Sequence, residues 1–202
     1  VKDNYSFLTP FYNPLTKLIF GEQLMLAKRC FGSNFTGKKI LIIGGGDGLD
    51  YQVLQENLSG EYWEISQSML NRAKVNLGKS DLSFHLDFFQ AKEGKVFDEV
   101  WLHFVLDTML DKEIESLLGE IRKSLKPEGK IYLADFFVPK NTLHRIIHQA
   151  MISFFRLVTK HKRANLPDYE QILGSEGWVK TSEKEFMEGW VKAQEWKLET
   201  GI

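Results

Sequence analysis

The sequence predicts an α/β protein: a doubly wound, mostly parallel seven-stranded sheet with an antiparallel edge strand and helices on both faces. Three observations predict it. Short apolar runs alternate with amphipathic helical stretches over residues 38–137, as in successive strand–helix–strand units. One run, Ile40-Leu41-Ile42-Ile43, leads straight into Gly44-Gly45-Gly46-Asp47-Gly48, so a buried strand feeds a tight turn at the edge where open α/β sheets bind nucleotides. After residue 137 the pattern changes to one long amphipathic helix and two closing strands.

Residues 5–31 are aromatic and helix-like, interrupted by Pro10 and Pro14. Strands are expected at 39–43, 61–65, 82–86, 97–104 and 130–135, with helices at 50–58 and 67–76 between them. Ser66 is the expected N-cap of the second of these helices. A further helix has Ile114, Leu117, Leu118, Ile121 and Leu125 on one face, Asp111 as its expected cap and Pro127 and Gly129 as its stop. Leu143, Ile146, Ile147, Ala150, Met151, Phe154, Phe155 and Val158 make one apolar stripe, the expected inner face of the long helix, with His144 and His148 on its polar side. A shorter helix is expected at 167–176, then strands at 178–186 and 190–198 joined by a turn at Glu188-Gly189. One domain is expected throughout: a helical cap segment at 1–37, a ligand-binding core at 38–137, a helical insert at 138–177 that either packs on the domain or serves as a lid over a substrate, and a β-hairpin at 178–202.

Composition narrows the partners. Hydrophobic residues make up 43% and charged residues 26%, as in an ordinary globular protein, and the formal net charge of −1 gives no general attraction to nucleic acid. Membrane contact is expected to be peripheral at most, because the longest apolar runs are far short of a span. The single cysteine, Cys30, excludes an internal disulfide and a Cys-based zinc site, and no basic start leads into an apolar stretch, so the expected location is the cytoplasm. His144 and His148 stand one turn apart without a third ligand in view, so no metal is expected. The sequence carries no signal of oligomeric state.

The glycine turn is not a dinucleotide fingerprint, which needs glycine where Leu49 stands, nor a P-loop, which needs a Gly-Lys-Ser/Thr end. Glu64 closes the second strand twenty residues after Gly44, where a carboxylate offers two oxygens to a ribose diol; the plain alternative is a solvated strand-end acid. Asp87-Phe88, just past the third strand, pairs an acceptor for an adenine amino group with an aromatic wall, though a loop aspartate with no ligand is as common. Asp81 is a competing acid in a poorer place.

These segments together resemble the class I S-adenosylmethionine-dependent methyltransferases, whose fold is Rossmann-like. The resemblance covers about residues 38–137 and rests on Gly44-Gly45-Gly46-Asp47-Gly48, Tyr62-Trp63-Glu64-Ile65-Ser66-Gln67-Ser68-Met69-Leu70, Leu86-Asp87-Phe88, the fourth strand from Phe97 to Leu106, and Leu125-Lys126-Pro127-Glu128-Gly129-Lys130. It implies S-adenosyl-L-methionine as cofactor and S-adenosyl-L-homocysteine as product. It also implies that Gly44, Gly46 and Gly48 form the cofactor turn, Glu64 takes the ribose, and Ile65, Met69, Asp87, Phe88 and His103 line the rest of the site. The chain departs from the family where Ile42 replaces the usual acid two residues before the first glycine and Asp47 replaces Thr or Ser. Gly-Gly-Gly-Asp-Gly is also similar to the spermidine synthase-like aminopropyltransferases, but their Asp-rich fourth-strand end reads Leu102-His103-Phe104-Val105 here. A non-catalytic module that binds S-adenosylmethionine is the third reading.

The expected reaction is methyl transfer to a small, apolar or lipid/quinone-like acceptor. His103, at the end of the fourth strand, is the candidate general base; the alternative is that it packs against the cofactor. Asp107 and Asp135 are strand-end acids nearby. Tyr5 and Tyr12 are candidate substrate residues, because in similar methyltransferases the N-terminal segment folds over the cofactor; the alternative is ordinary core. Arg156, Lys160, Lys162 and Arg163 form a basic patch that is either a solvated face or a contact for a lipid headgroup or anionic substrate.

Overall fold

The computed structural model describes residues 20–31, 35–92, 97–159 and 165–199, and leaves out the side chains of 153–159. Tyr5, Tyr12, Lys160, Lys162, Arg163 and the Arg156 side chain lie outside the described residues. Seven strands form one sheet: β1 Lys39–Ile43, β2 Ser59–Trp63, β3 Asp81–His85, β4 Phe97–His103, β5 Leu125–Phe136, β6 Trp178–Phe186 and β7 Val191–Leu198. Their spatial order is β3-β2-β1-β4-β5-β7-β6. The first five are parallel neighbours; β7 runs antiparallel between β5 and the edge strand β6. The order reverses at β1 and β4, so the crevice of a doubly wound sheet opens at the carboxyl ends of those two strands.

The helices are α1 Gln23–Arg29, α2 Gln67–Asn76, α3 Asp111–Ser124, α4 Thr142–Thr159 and α5 Tyr169–Ser175, with a 3-10 helix at Leu49–Asn57 after the glycine turn. One core lies under α3 and α5, where Ile114, Leu118 and Ile121 meet Val100, Leu102, Ile131 and Leu133. The opposite face packs Leu70 and Ala73 of α2 and its C-cap residue Leu77 with Tyr51, Ile40, Ile42 and Trp101. A third, aromatic cluster of Phe20, Phe136, Phe186 and Trp190 fills the space beside β5 and β7.

Several local expectations are corrected. Leu110, not Asp111, holds the N-cap position of α3, and the Glu113 carboxylate accepts the Leu110 N–H at 2.8 Å, because an acid at the third helical position reaches back to the cap. The helix ends at Ser124, before Pro127 and Gly129: Leu125 is already extended and buried, and β5 begins there with a register irregularity before Lys130. Proline disfavours helical backbone at the residue before it, which sets the stop upstream of the ring. β2 starts two residues early because Ser59 and Gly60 already pair with Lys39 and Ile40. Ser66 caps α2, its hydroxyl accepting from the Met69 N–H at 3.4 Å.

The largest correction concerns α4. His148 is buried and His144 half-buried, and with Ile147 and Met151 they form the face turned to the aromatic cluster. Leu143 and Ile146, assigned inward from the sequence, are 61% and 64% exposed, and Ala150 is exposed. The inner face still follows the i, i+3, i+4, i+7 rule, but on 144, 147, 148 and 151. Trp190 decides the rotation: its indole Nε1–H donates to His148 Nδ1 at 3.1 Å, and its ring stacks on His144 with centroids 4.9 Å apart.

Candidate active site

The crevice is built around the turn after β1. Gly44, Gly46 and Gly48 have φ of 65°, 67° and 70°, the left-handed region that side chains avoid. They answer different constraints. A Cβ on Gly44 would collide with Val105, whereas a Cβ on Gly46 would meet nothing within 4 Å. Gly46 therefore presents bare backbone to open space at the sheet's switch point.

Side chains hold this turn in place. The Glu64 carboxylate is buried and uses both oxygens: Oε2 accepts the Gly46 N–H at 3.0 Å and Oε1 accepts the Ser66 N–H at 2.9 Å. Backbone bonds fix where that carboxylate stands, because Glu64 N–H bonds His85 O and Gly44 N–H bonds Trp63 O. Tyr62 Oη donates to Gly46 O at 2.9 Å, and Asn76 Nδ2 donates to Asp47 O at 2.9 Å. On the other side, Lys28 of α1 pairs with Asp50 at 2.6 Å, and the Arg29 guanidinium bonds Asp50 O. None of Lys28, Asp50, Tyr51, Tyr62 and Asn76 was singled out from sequence; each acts through a partner at least sixteen residues away, which no local spacing reveals.

The remaining expected residues fall around the same crevice. Ile65 and Met69 are half-buried beside Glu64. Asp87 and Phe88 are exposed past the end of β3, with Asp87 Oδ1 accepting the Phe88 N–H at 2.8 Å and Phe88 56% exposed. Ile42, in the place of the family's acid, lies in the core.

His103 ends β4 but is only 4% exposed. Its ring stacks on Trp101, and its Nδ1 shares a hydrogen bond with Tyr51 Oη at 2.9 Å. Burial, aided by the Lys28 ammonium, holds its pKa well below the ordinary imidazole value, so the ring is neutral at pH 7. Burial likewise raises the Tyr51 hydroxyl well above its usual range, so the pair is uncharged. Phe104, the next residue, sits at φ 55° and turns the chain out of the sheet; its N–H bonds Ala134 O at 2.7 Å. Strained backbone of this kind gathers at functional sites.

Asp135 ends β5 on the α5 side of the sheet and is fully buried. Burial and the neighbouring Asp107 charge push its carboxyl well above the usual range, against hydrogen bonds from Phe136 N–H, Asp107 N–H and Tyr169. It staples the chain after β4 to the end of β5, away from the His103 face. Among the described residues no group of three or more His, Cys, Asp or Glu is placed to hold a metal ion, and no helix is long and apolar enough to cross a membrane.

Comparisons with known proteins agree on the architecture. Residues 41–133 match the family model described as a methyltransferase domain. The chain is similar to the ubiquinone/menaquinone biosynthesis C-methyltransferase UbiE of Shewanella frigidimarina, with 28% identity over 129 residues, 58% of this chain and 50% of the relative. The chain thus spans about half the length of the curated relative it matches. Among solved structures it resembles the complex between the Haloferax volcanii Trm112 methyltransferase activator and a methyltransferase (TM-score 0.72, 17% identity, 98% of each chain). It also resembles the DhpI complex with SAH (TM-score 0.67, 16% identity, 96% of this chain and 90% of the other).

Proposed function

We propose, from the match of residues 41–133 to a methyltransferase domain and the likeness to UbiE, that the chain is a class I S-adenosylmethionine-dependent methyltransferase, which binds S-adenosylmethionine and methylates a small, apolar, quinone-like acceptor. The observation that carries the cofactor half is the Gly46 backbone, left-handed, bare toward the crevice and bonded to Glu64. A carboxylate oxygen has two lone pairs, so Glu64 can keep its backbone bonds and accept from ribose hydroxyls as well. Ile65 and Met69 supply apolar contact for the adenine, and Asp87 and Phe88 stand at its outer edge.

When bound, the cofactor supplies an activated methyl group for in-line displacement by the acceptor's nucleophilic atom. The leaving group needs no help, so the protein's work is alignment and exclusion of water, worth about 7–11 kcal/mol in well-oriented reactions. Beyond His103 the half-buried Phe104 ring packs on Phe136 at 5.1 Å, and Phe136 packs on Phe20 and on Trp190, the latter at 6.1 Å between ring centroids, so Phe104 is the part of this aromatic cluster left at the surface. That surface favours an apolar ring over a polar chain, in keeping with the UbiE likeness. His103 is neutral and so has one unprotonated ring nitrogen, but the burial that keeps it neutral also makes it a weak base, suited only to an acceptor that gives up its proton readily.

Isothermal titration with S-adenosylmethionine and with NAD tests the cofactor; micromolar binding of NAD and none of the sulfonium overturns the proposal. Decarboxylated S-adenosylmethionine with putrescine tests aminopropyl transfer, and product there replaces methylation as the reading. Tight S-adenosylmethionine binding with no turnover across a broad acceptor screen favours a non-catalytic module.

A further inference from the structure

Helix α4 is mounted against its own hydrophobic pattern. It buries His148 and half-buries His144 while Leu143 and Ile146 stand in solvent. A helix held only by burial of apolar surface would rotate the other way. The Trp190 N–H accounts for the burial of His148, but it leaves the buried His144 ring nitrogen unaccounted for.

The two rings have defined hydrogen-bonding capacity. Trp190 Nε1–H donates to His148 Nδ1, so the neutral His148 ring keeps its proton on Nε2 and is a donor there. Burial keeps this ring below its ordinary pKa, in line with the neutral form. His144 stacks on the Trp190 face, and its Nδ1 is buried with no hydrogen-bond partner among the described residues. A buried polar nitrogen left without a partner is costly unless something else completes it.

Their position is at the carboxyl end of the sheet. His148 lies 6.3 Å from Phe136 between ring centroids, Phe136 packs on Phe104, and Phe104 follows His103. The two imidazoles thus form the polar end of an otherwise aromatic group that begins at the crevice. We propose that His144 and His148 are acceptor-recognition residues, which hydrogen-bond a hydroxyl or carbonyl oxygen carried by a planar aromatic acceptor whose ring lies against Phe104 and Phe136. The assignment rests on the methyl-transfer reading for the crevice beside it, and it names the side chains that recognise the oxygen of such a quinone-like acceptor. His148 donates through Nε2–H, and His144 offers the nitrogen that the fold leaves uncompleted.

The test uses 2-naphthol and naphthalene, which differ only by the oxygen. Each is titrated calorimetrically into wild type, His144→Phe and His148→Phe, all saturated with S-adenosylhomocysteine. The expected result is at least a tenfold preference of wild type for 2-naphthol, falling below threefold in both variants while affinity for S-adenosylhomocysteine stays within twofold. A second readout needs no variant: the imidazole 15N resonances of His144 and His148 in wild type shift with 2-naphthol and not with naphthalene. Equal binding of the two probes by wild type, binding of neither, a preference that survives in both variants, or unmoved 15N resonances overturns the assignment. Failure of wild type to bind S-adenosylhomocysteine in the first titration sinks the methyltransferase reading instead. The naphthol arms then run on the protein alone and still decide the role of the histidines.

Discussion

Glu64 offers the sharpest measurement, because both carboxylate oxygens are already committed to backbone donors, Gly46 N–H at 3.0 Å and Ser66 N–H at 2.9 Å. Hydrogen bonds to charged groups contribute about 1.5–3 kcal/mol each, and a buried donor left unpaired costs about 1–3 kcal/mol. Glu64→Ala loses both bonds and is expected to cost about 3–5 kcal/mol of unfolding free energy. Glu64→Gln is the more telling variant. An amide has one oxygen, so its NH2 must face whichever N–H the oxygen does not serve, and about half of that loss, roughly 2 kcal/mol, is expected. Both changes release the Gly46 backbone from its position, and both are expected to weaken S-adenosylhomocysteine at least tenfold, about 1.4 kcal/mol. Urea unfolding reads the first quantity and isothermal titration the second. If Glu64→Gln matches wild type in both, the carboxylate neither holds the turn nor serves the cofactor, and the reasoning fails.

The two ends of the turn should respond differently to a methyl group. Gly44→Ala collides with Val105 and is expected to unfold or misassemble the domain, whereas Gly46→Ala is expected to cost only about 1–2 kcal/mol of left-handed strain yet abolish measurable S-adenosylmethionine binding; comparison of urea midpoints with calorimetric affinity separates them. His103→Ala is expected to lower kcat far more than it raises the cofactor Kd; full retained turnover would leave the ring a packing role only. Neutral buried histidines bind protons less tightly than the unfolded chain, so the stability due to His103 and His148 is present above pH 6.5 and is lost as pH falls below it toward their depressed folded values; a urea midpoint that does not fall between pH 7 and pH 5 contradicts this. Asp135 has the opposite sign: its raised folded value makes stability greatest at low pH and smaller as pH rises through that value, so Asp135→Asn, neutral at every pH, is expected to flatten the alkaline side of the stability profile.

Much of this site was legible because its logic is local. Apolar density fixed β1 at Lys39–Ile43, and the end of the next strand, twenty residues after Gly44, brings Glu64 beside the turn it serves. The sequence could not show that Glu64 spends its oxygens on the protein's own backbone, because Gly46 N–H reaches it only after β1 and β2 pair. The tryptophans make the same distinction in one residue type. A buried indole N–H needs an acceptor. Trp63, Trp101 and Trp196 each donate to the side chain two residues earlier, Glu61, Glu99 and Gln194, on the same face of their own strands. That pairing is written in the sequence, and it explains why acids are tolerated inside β2 and β4. Glu188 stands two residues before Trp190 as well, but in a turn with left-handed backbone and not in a strand; its carboxylate accepts from Asn141, and Trp190 donates to His148 forty-two residues away. Hydropathy alone assigned the faces of α4, and hydropathy ranks leucine and isoleucine above histidine for burial. A single indole N–H whose neighbouring acid is engaged elsewhere outweighs that ranking here, so the face that α4 turns to the sheet is set by its partner and not by its own pattern. Nonlocal polar demand of this kind is what a period of 3.6 residues cannot register.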